Sequence, residues 1–139
     1  MKAITKLGGK IDFKVDEKRR IVYETNTGLW KKPEIEEYQK THEQEVEPLL
    51  NKGGVVKPWA KISDIREYKM SMIVDEINNH SSWASKRGLT HVAMIVNDLA
   101  SAKASLVKGQ INRSATQGHK TEYFDTHEEA EKWLAQNGF

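Results

Sequence analysis

Cysteine is absent from the 139-residue chain, which removes disulfides, a thiol nucleophile and any thiolate metal site. No apolar run approaches the roughly 18 residues that a membrane-spanning helix needs, and Met1 to Lys10 contains no hydrophobic targeting core. A soluble, cytoplasmic protein is therefore expected. Repeats, low-complexity tracts and linkers are also lacking, so residues 1–139 are expected to form a single domain. The net charge is only +2. That is too small to argue for nucleic acid, and no RNA-binding aromatic signature, recognition-helix pattern or zinc-finger spacing raises the case.

What is present is an uneven but compensated charge distribution. Residues 1–32 hold nine basic against four acidic side chains, and residues 33–50 one against six. Residues 51–118 return to ten against five, and 119–139 to two against five. Such alternation describes solvated faces on neighbouring elements that attract each other weakly. Hydrophobic residues make up 37% of the chain and charged residues 30%, which excludes a largely disordered chain. A chain of this length buries roughly two-thirds of its unfolded surface.

The hydrophobic pattern gives an order of elements. Ile11 to Val15 alternates at period two, Asp16 to Arg20 is a charged turn, and Ile21 to Thr25 is a second strand, together a hairpin. Pro33 and the glutamates after it suit a helix N-terminus. Ile35, Tyr38, His42, Val46, Leu49 and Leu50 mark one face of a helix ending near Asn51 to Gly54. Trp59 to Ser63 reads as a short strand that stops at Asp64-Ile-Arg66. A second helix over roughly Ser71 to Lys86 carries Met72, Ile73, Ile77, His80, Trp83 and Ala84 at helical spacing, and Arg87-Gly88 ends it. His91 to Val96 is nearly unbroken in apolar character, as expected of a strand covered on both faces. A shorter helix is expected over Leu99 to Val107, and a polar, mobile loop over Ile111 to Gly118. In the last strand and helix, Glu122 to Leu134, Thr126 and Glu129 form a capping box ahead of the Ala130, Trp133 and Leu134 stripe. Gly138 is expected just past the end of that helix.

The order hairpin–helix–strand–helix–strand–helix–strand–helix resembles the STAS fold. The stretches Ile21 to Trp30, Trp59 to Tyr68, Thr90 to Val96 and Tyr123 to Leu134 are similar, more specifically, to the SpoIIAA-like branch. The resemblance implies an α/β fold with a mixed four- to five-stranded sheet and about four helices packed on it. It also implies bacterial regulation or ligand binding without catalysis, an apolar cavity similar in spirit to that of lipid-transfer CRAL-TRIO domains, and a mobile second helix able to meet a membrane. Phospho-switched members carry an Asp-Ser-Ser-Gly-like motif where the central strand meets the second helix. Here that junction reads Tyr68-Lys-Met-Ser-Met-Ile-Val-Asp75. Ser71 is the nearest hydroxyl there, and the acceptor register falls on an apolar residue, which speaks against a phosphorylation switch.

No residue cluster announces a reaction. His42, His80, His91, His119 and His127 lack HxH, HExxH or similar metal spacing, so no metal site or cofactor is expected. The carboxylates from Glu34 to Glu47 read as the acidic outer face of a helix, and none shows the apolar wall that general-acid chemistry needs. The glycine pairs at 8–9 and 53–54 lack the flanks of a phosphate loop. The sequons at Asn79 and Asn112 have no use in a cytoplasmic chain. The expected binding site lies between the sheet and the second helix, lined by Trp30, Tyr38, Met72, Ile73, Ile77, Trp83 and Met94. Asp64 and Arg66 join the candidates because open α/β sheets place ligands at the carboxyl ends of their strands; the alternative for them is an ion pair that fixes the turn. Baring Met72, Ile73, Ile77 and Trp83 would forfeit roughly 1.5–3 kcal/mol each, so a swung-out helix needs lipid, ligand or a second subunit to cover it. The expected partners are an apolar or lipid-like molecule, a membrane surface met peripherally, and a second copy of the chain; the alternative is a protein-interaction module of anti-sigma-factor-antagonist type, without an intact phosphoacceptor motif, that docks a partner through the second helix.

Overall fold

The computed structural model describes residues 1–69, 74–97 and 118–139. A six-stranded mixed sheet runs through it in the order β1-β2-β3-β5-β7-β8. Its strands are β1 (Lys2–Lys6), β2 (Ile11–Asp16), β3 (Ile21–Asn26), β5 (Trp59–Asp64), β7 (Leu89–Ile95) and β8 (Lys120–Phe124). The first three pair antiparallel, and β3, β5, β7 and β8 pair parallel. Two-residue strands β4 (Gly28–Leu29) and β6 (Tyr68–Lys69) form a separate parallel ladder. The chain is thus the α/β fold expected, with the sheet wider than four or five strands. The extra edge is β1, whose sequence signal is faint because only Ile4 in it is buried.

Helices cover both faces. On one face lie α1 (Lys32–Thr41), α2 (Glu47–Leu50) and α3 (Val74–Lys86), against Phe13, Val15, Val22, Trp59 and Val92 of the strands. On the other, α4 (His127–Gln136) sets Ala130 and Leu134 on Ile21, Ala60, Ile62, Ala93 and Ile95. The expected capping box forms by half: the Glu129 amide donates to Thr126 Oγ1 at 3.2 Å, while the Glu129 carboxylate meets the Thr126 hydroxyl at 3.3 Å instead of the Thr126 amide that a full box requires.

The expected continuous first helix is broken. A π turn at His42–Val46 separates α1 from α2. Pro48 supplies the reason, because it has no N–H for the carbonyl of Gln44 and its ring would crowd that carbonyl in a regular helix. The break leaves Ile35, Tyr38, His42, Val46 and Leu50 all facing the sheet.

Two further devices fix the end of the sheet where β5 and β7 begin. Gly88 ends α3 at φ +104°, and a Cβ there would drive into the Lys57 carbonyl oxygen. The Arg20 guanidinium donates to the carbonyls of Pro58 and Lys57, each at 2.8 Å, to that of Leu50, and to Asn51 Oδ1 at 3.1 Å. The expected helix at Leu99 to Val107 lies outside the described residues, as does the loop from Ile111 except for Gly118.

Candidate functional site

Parallel strands covered on both faces should read as apolar, yet β3 and β5 each bury a charge. Glu24 is 2% exposed and Lys61 3% exposed. They stand on adjacent strands, and Lys61 Nζ lies 3.2 Å from Glu24 Oε1. Tyr38 of α1 completes a triangle, donating its hydroxyl to Glu24 Oε1 at 2.9 Å and accepting from Lys61 at 2.9 Å. Lys61 also reaches His42 Nε2 at 3.2 Å and His80 Nε2 at 3.1 Å.

The hydrogens follow from this geometry. An ammonium has three N–H donors and no acceptor, so both imidazoles must accept through Nε2 and carry their proton on Nδ1. His80 agrees, since its Nδ1 lies 2.6 Å from Gln39 Oε1. His42 Nδ1 has no partner among the described residues. With four acceptors for three donors, Glu24 Oε1 and the Tyr38 oxygen share one N–H. Glu24 Oε2 accepts from Asn26 Nδ2 at 3.2 Å. One amine therefore ties together β3, β5, α1, the π turn and α3.

Electrostatics hold this knot in one protonation state. Burial, and next the positive charge of Lys61, press the His42 and His80 pKa values well below the ordinary imidazole value. Burial lowers Lys61 as well, and the Glu24 carboxylate opposes that shift. Burial and then Glu24 raise the Tyr38 phenol well above its usual value. Aromatic rings wall the knot: Phe13 meets His42 edge-on at 5.0 Å, Tyr38 meets His80 at 4.6 Å, and Lys61 Nζ sits 5.9 Å from the Trp59 ring.

Beside the knot, between the sheet and α3, is a cavity of about 100 Å³. By the ~10–15 Å³ that one water centre needs, it has room for several waters or one compact organic molecule. Its floor is the face of β3, β5 and β7 carrying Glu24, Asn26, Lys61, Ser63, Val92 and Met94. Trp30, Ile35, Tyr38, Ile65 and Tyr68 wall one side, and Ile77, His80 and Ser81 of α3 close over it. His119 also lines the cavity; it lies 2.8 Å from Ser85 Oγ, and burial brings its pKa down to about 4.

Among the residues expected at the site, Trp30, Tyr38, Ile77 and Met94 line this cavity. Trp83 does not; it packs against the core beside His42 and His80. Met72, Ile73 and Ser71 lie outside the described residues. Asp64 and Arg66 are not in the lining. Asp64 accepts from the Arg66 amide at 3.1 Å and from its guanidinium at 3.0 and 2.7 Å, with His127 3.9 Å away. Arg66 and its amide hold the carboxyl below the usual range against the opposing effect of burial. That is the ion pair fixing the strand-end turn, the second of the two readings open for these residues.

The polar floor itself was not anticipated. Glu24 is a carboxylate buried in the sheet face that the sequence reading did not single out, and His42 and His80 complete the set of groups around the Lys61 amine. Among the described residues no group of His, Asp and Glu is placed to hold a metal ion. No helix among them is long and apolar enough to cross a membrane.

Neither the curated proteins nor the solved structures gave a match. The model of the family described as SpoIIAA-like matches residues 28–135. That span takes in Trp30 of the cavity wall and Tyr38, His42, Lys61 and His80 of the lysine-centred knot, but not Glu24 and Asn26 on β3. Since the match extends over most of the chain, the protein belongs to the SpoIIAA-like family, whose fold is the STAS fold.

Proposed function

We propose that this protein is a non-catalytic regulatory module that binds a small apolar ligand in the cavity under α3. The observation that carries the reading is the cavity's construction: a largely apolar wall of Trp30, Ile35, Ile65, Tyr68 and Ile77 over a floor whose buried charges are satisfied by each other. A catalytic floor needs a group with spare capacity to give or take a proton at the reacting atom. Here the Lys61 donors are all engaged and the two imidazoles are committed to it. Membership of a family of regulatory, anti-sigma-factor-antagonist type supports the same reading. The same proposal has α3 able to move and, when it does, to meet a membrane surface or a second copy of the chain.

Native mass spectrometry of the purified protein, with solvent extraction of what it carries, tests this. Stoichiometric recovery of an apolar molecule supports the binding module, and the same spectrum reports a dimer. A clean apo mass, together with failure of any small apolar probe to shift the amide resonances of β3, β5 and α3, would overturn it. The alternative, a protein-interaction module of anti-sigma-factor-antagonist type, would then lead.

A further inference from the structure

The same floor bears on which apolar molecules are admitted. We propose that the Glu24–Lys61 pair makes the cavity charge-selective, so that it takes an uncharged molecule and turns away carboxylates and ammonium ions of the same skeleton. This rests on the cavity being the ligand site.

Two formal charges line the cavity among the described residues, and they face each other at 3.2 Å. A bound carboxylate would need donors. The three N–H groups of Lys61 are taken by His42, His80 and the Glu24–Tyr38 pair. The Nδ1 proton of His80 goes to Gln39, and one N–H of the Asn26 amide to Glu24; the remaining lining donors include that amide's second N–H and the hydroxyls of Ser63, Tyr68 and Ser81, all neutral. The anion would also lie beside the Glu24 carboxylate. A bound ammonium would need several acceptors, and both oxygens of Glu24 are already occupied, by Tyr38 and Lys61 on one and Asn26 on the other; what is left unpartnered among the described residues is Asn26 Oδ1, a single neutral oxygen suited to an uncharged donor such as a hydroxyl. It would also meet the charge of Lys61. Burial keeps His42, His80 and His119 uncharged at neutral pH, so none of them supplies a compensating cation. Stripping water from an ion without giving it partners is strongly unfavourable, whereas an uncharged molecule gives up little.

The test uses three probes on one skeleton at pH 7.5: benzyl alcohol, benzoate and benzylammonium, titrated into the full chain and followed by amide chemical shifts. Benzyl alcohol should bind at least about tenfold more tightly than either ion, a difference of about 1.4 kcal/mol. Benzoate or benzylammonium within threefold of the alcohol would overturn the charge filter and leave the cavity reading standing. Binding of none of the three would remove both. Glu24→Gln supplies a gain-of-function arm, because it leaves the Lys61 cation uncompensated. Benzoate affinity should then rise about tenfold or more, and an unchanged value in a folded E24Q would refute the role given to the pair. If E24Q does not fold, the wild-type comparison decides alone.

Discussion

Lys61→Met tests the lysine-centred knot most directly. The substitution nearly preserves side-chain length and keeps the apolar stem packed, but withdraws three donors from Glu24, Tyr38, His42 and His80. The Glu24 carboxylate stays buried, with only the Tyr38 hydroxyl and the Asn26 amide to stabilise it. Breaking a buried ion pair by removing one partner costs about 3–5 kcal/mol, a large part of the roughly 5–15 kcal/mol that holds a domain together. Adding Glu24→Gln to that background removes the stranded charge and keeps an oxygen for Tyr38. The double variant should therefore recover about 2 kcal/mol relative to K61M, and the two effects should be non-additive by at least about that amount. Urea unfolding of the wild type, both single variants and the double, followed by tryptophan fluorescence and far-UV circular dichroism, supplies the cycle. A K61M loss below about 1 kcal/mol, or additivity within about 0.5 kcal/mol, would refute the description of Lys61 and Glu24 as a mutually dependent buried pair.

Acid should destabilise the fold earlier than carboxylate titration would. His42 and His80 are held uncharged in the native state with lowered pKa values, while the unfolded chain protonates them near 6.5. As the pH falls below that value the unfolded state binds protons that the native state refuses, so stability declines by up to about 1.4 kcal/mol per histidine per pH unit. His119, brought down to about 4, steepens the same window. Urea midpoints between pH 7 and 5 should fall accordingly, and His80→Gln should flatten the slope by about one proton; an unchanged slope would contradict the burial assigned to that ring. Gly88→Ala should cost about 2 kcal/mol or more, because φ +104° is strained for alanine and its Cβ would strike the Lys57 carbonyl and lie 3.1 Å from Trp59 Cδ1. Gly138→Ala, at φ +93° with nothing within 4 Å, isolates the strain alone, and thermal melts of the two should separate by the steric difference.

The fold was legible wherever the pattern is local. The hairpin turn at Asp16 to Arg20, the Thr126–Glu129 cap and the Arg87-Gly88 stop each declare themselves within a few residues. Part of the cavity lining was legible too, because Tyr38 and Ile77 fall on helix faces and Met94 on a strand with clear apolar patterns. The knot was not. Its members lie 14 to 23 positions apart in the pairs Glu24–Tyr38, Lys61–His42, Lys61–His80 and Lys61–Tyr38, so no spacing motif links them. A signal existed nonetheless: Lys61 stands inside Trp59-Ala-Lys-Ile-Ser63 and Glu24 inside Ile21-Val-Tyr-Glu-Thr25. Opposite charges in strands destined for burial on both faces must find each other. β1 escaped because an edge strand with one buried side chain carries almost no hydrophobic pattern, and its lysines at both ends suit an edge that resists further pairing.

The position of His80 on α3 joins helix movement to chemistry. With α3 seated, the amine of Lys61 is fully engaged and the floor presents no net charge. Any displacement of α3 that carries His80 away returns one N–H of Lys61 to the space the helix leaves behind. The seated helix thus covers a cation, and one moved aside would bare it, so charge as well as shape is at stake in where α3 lies.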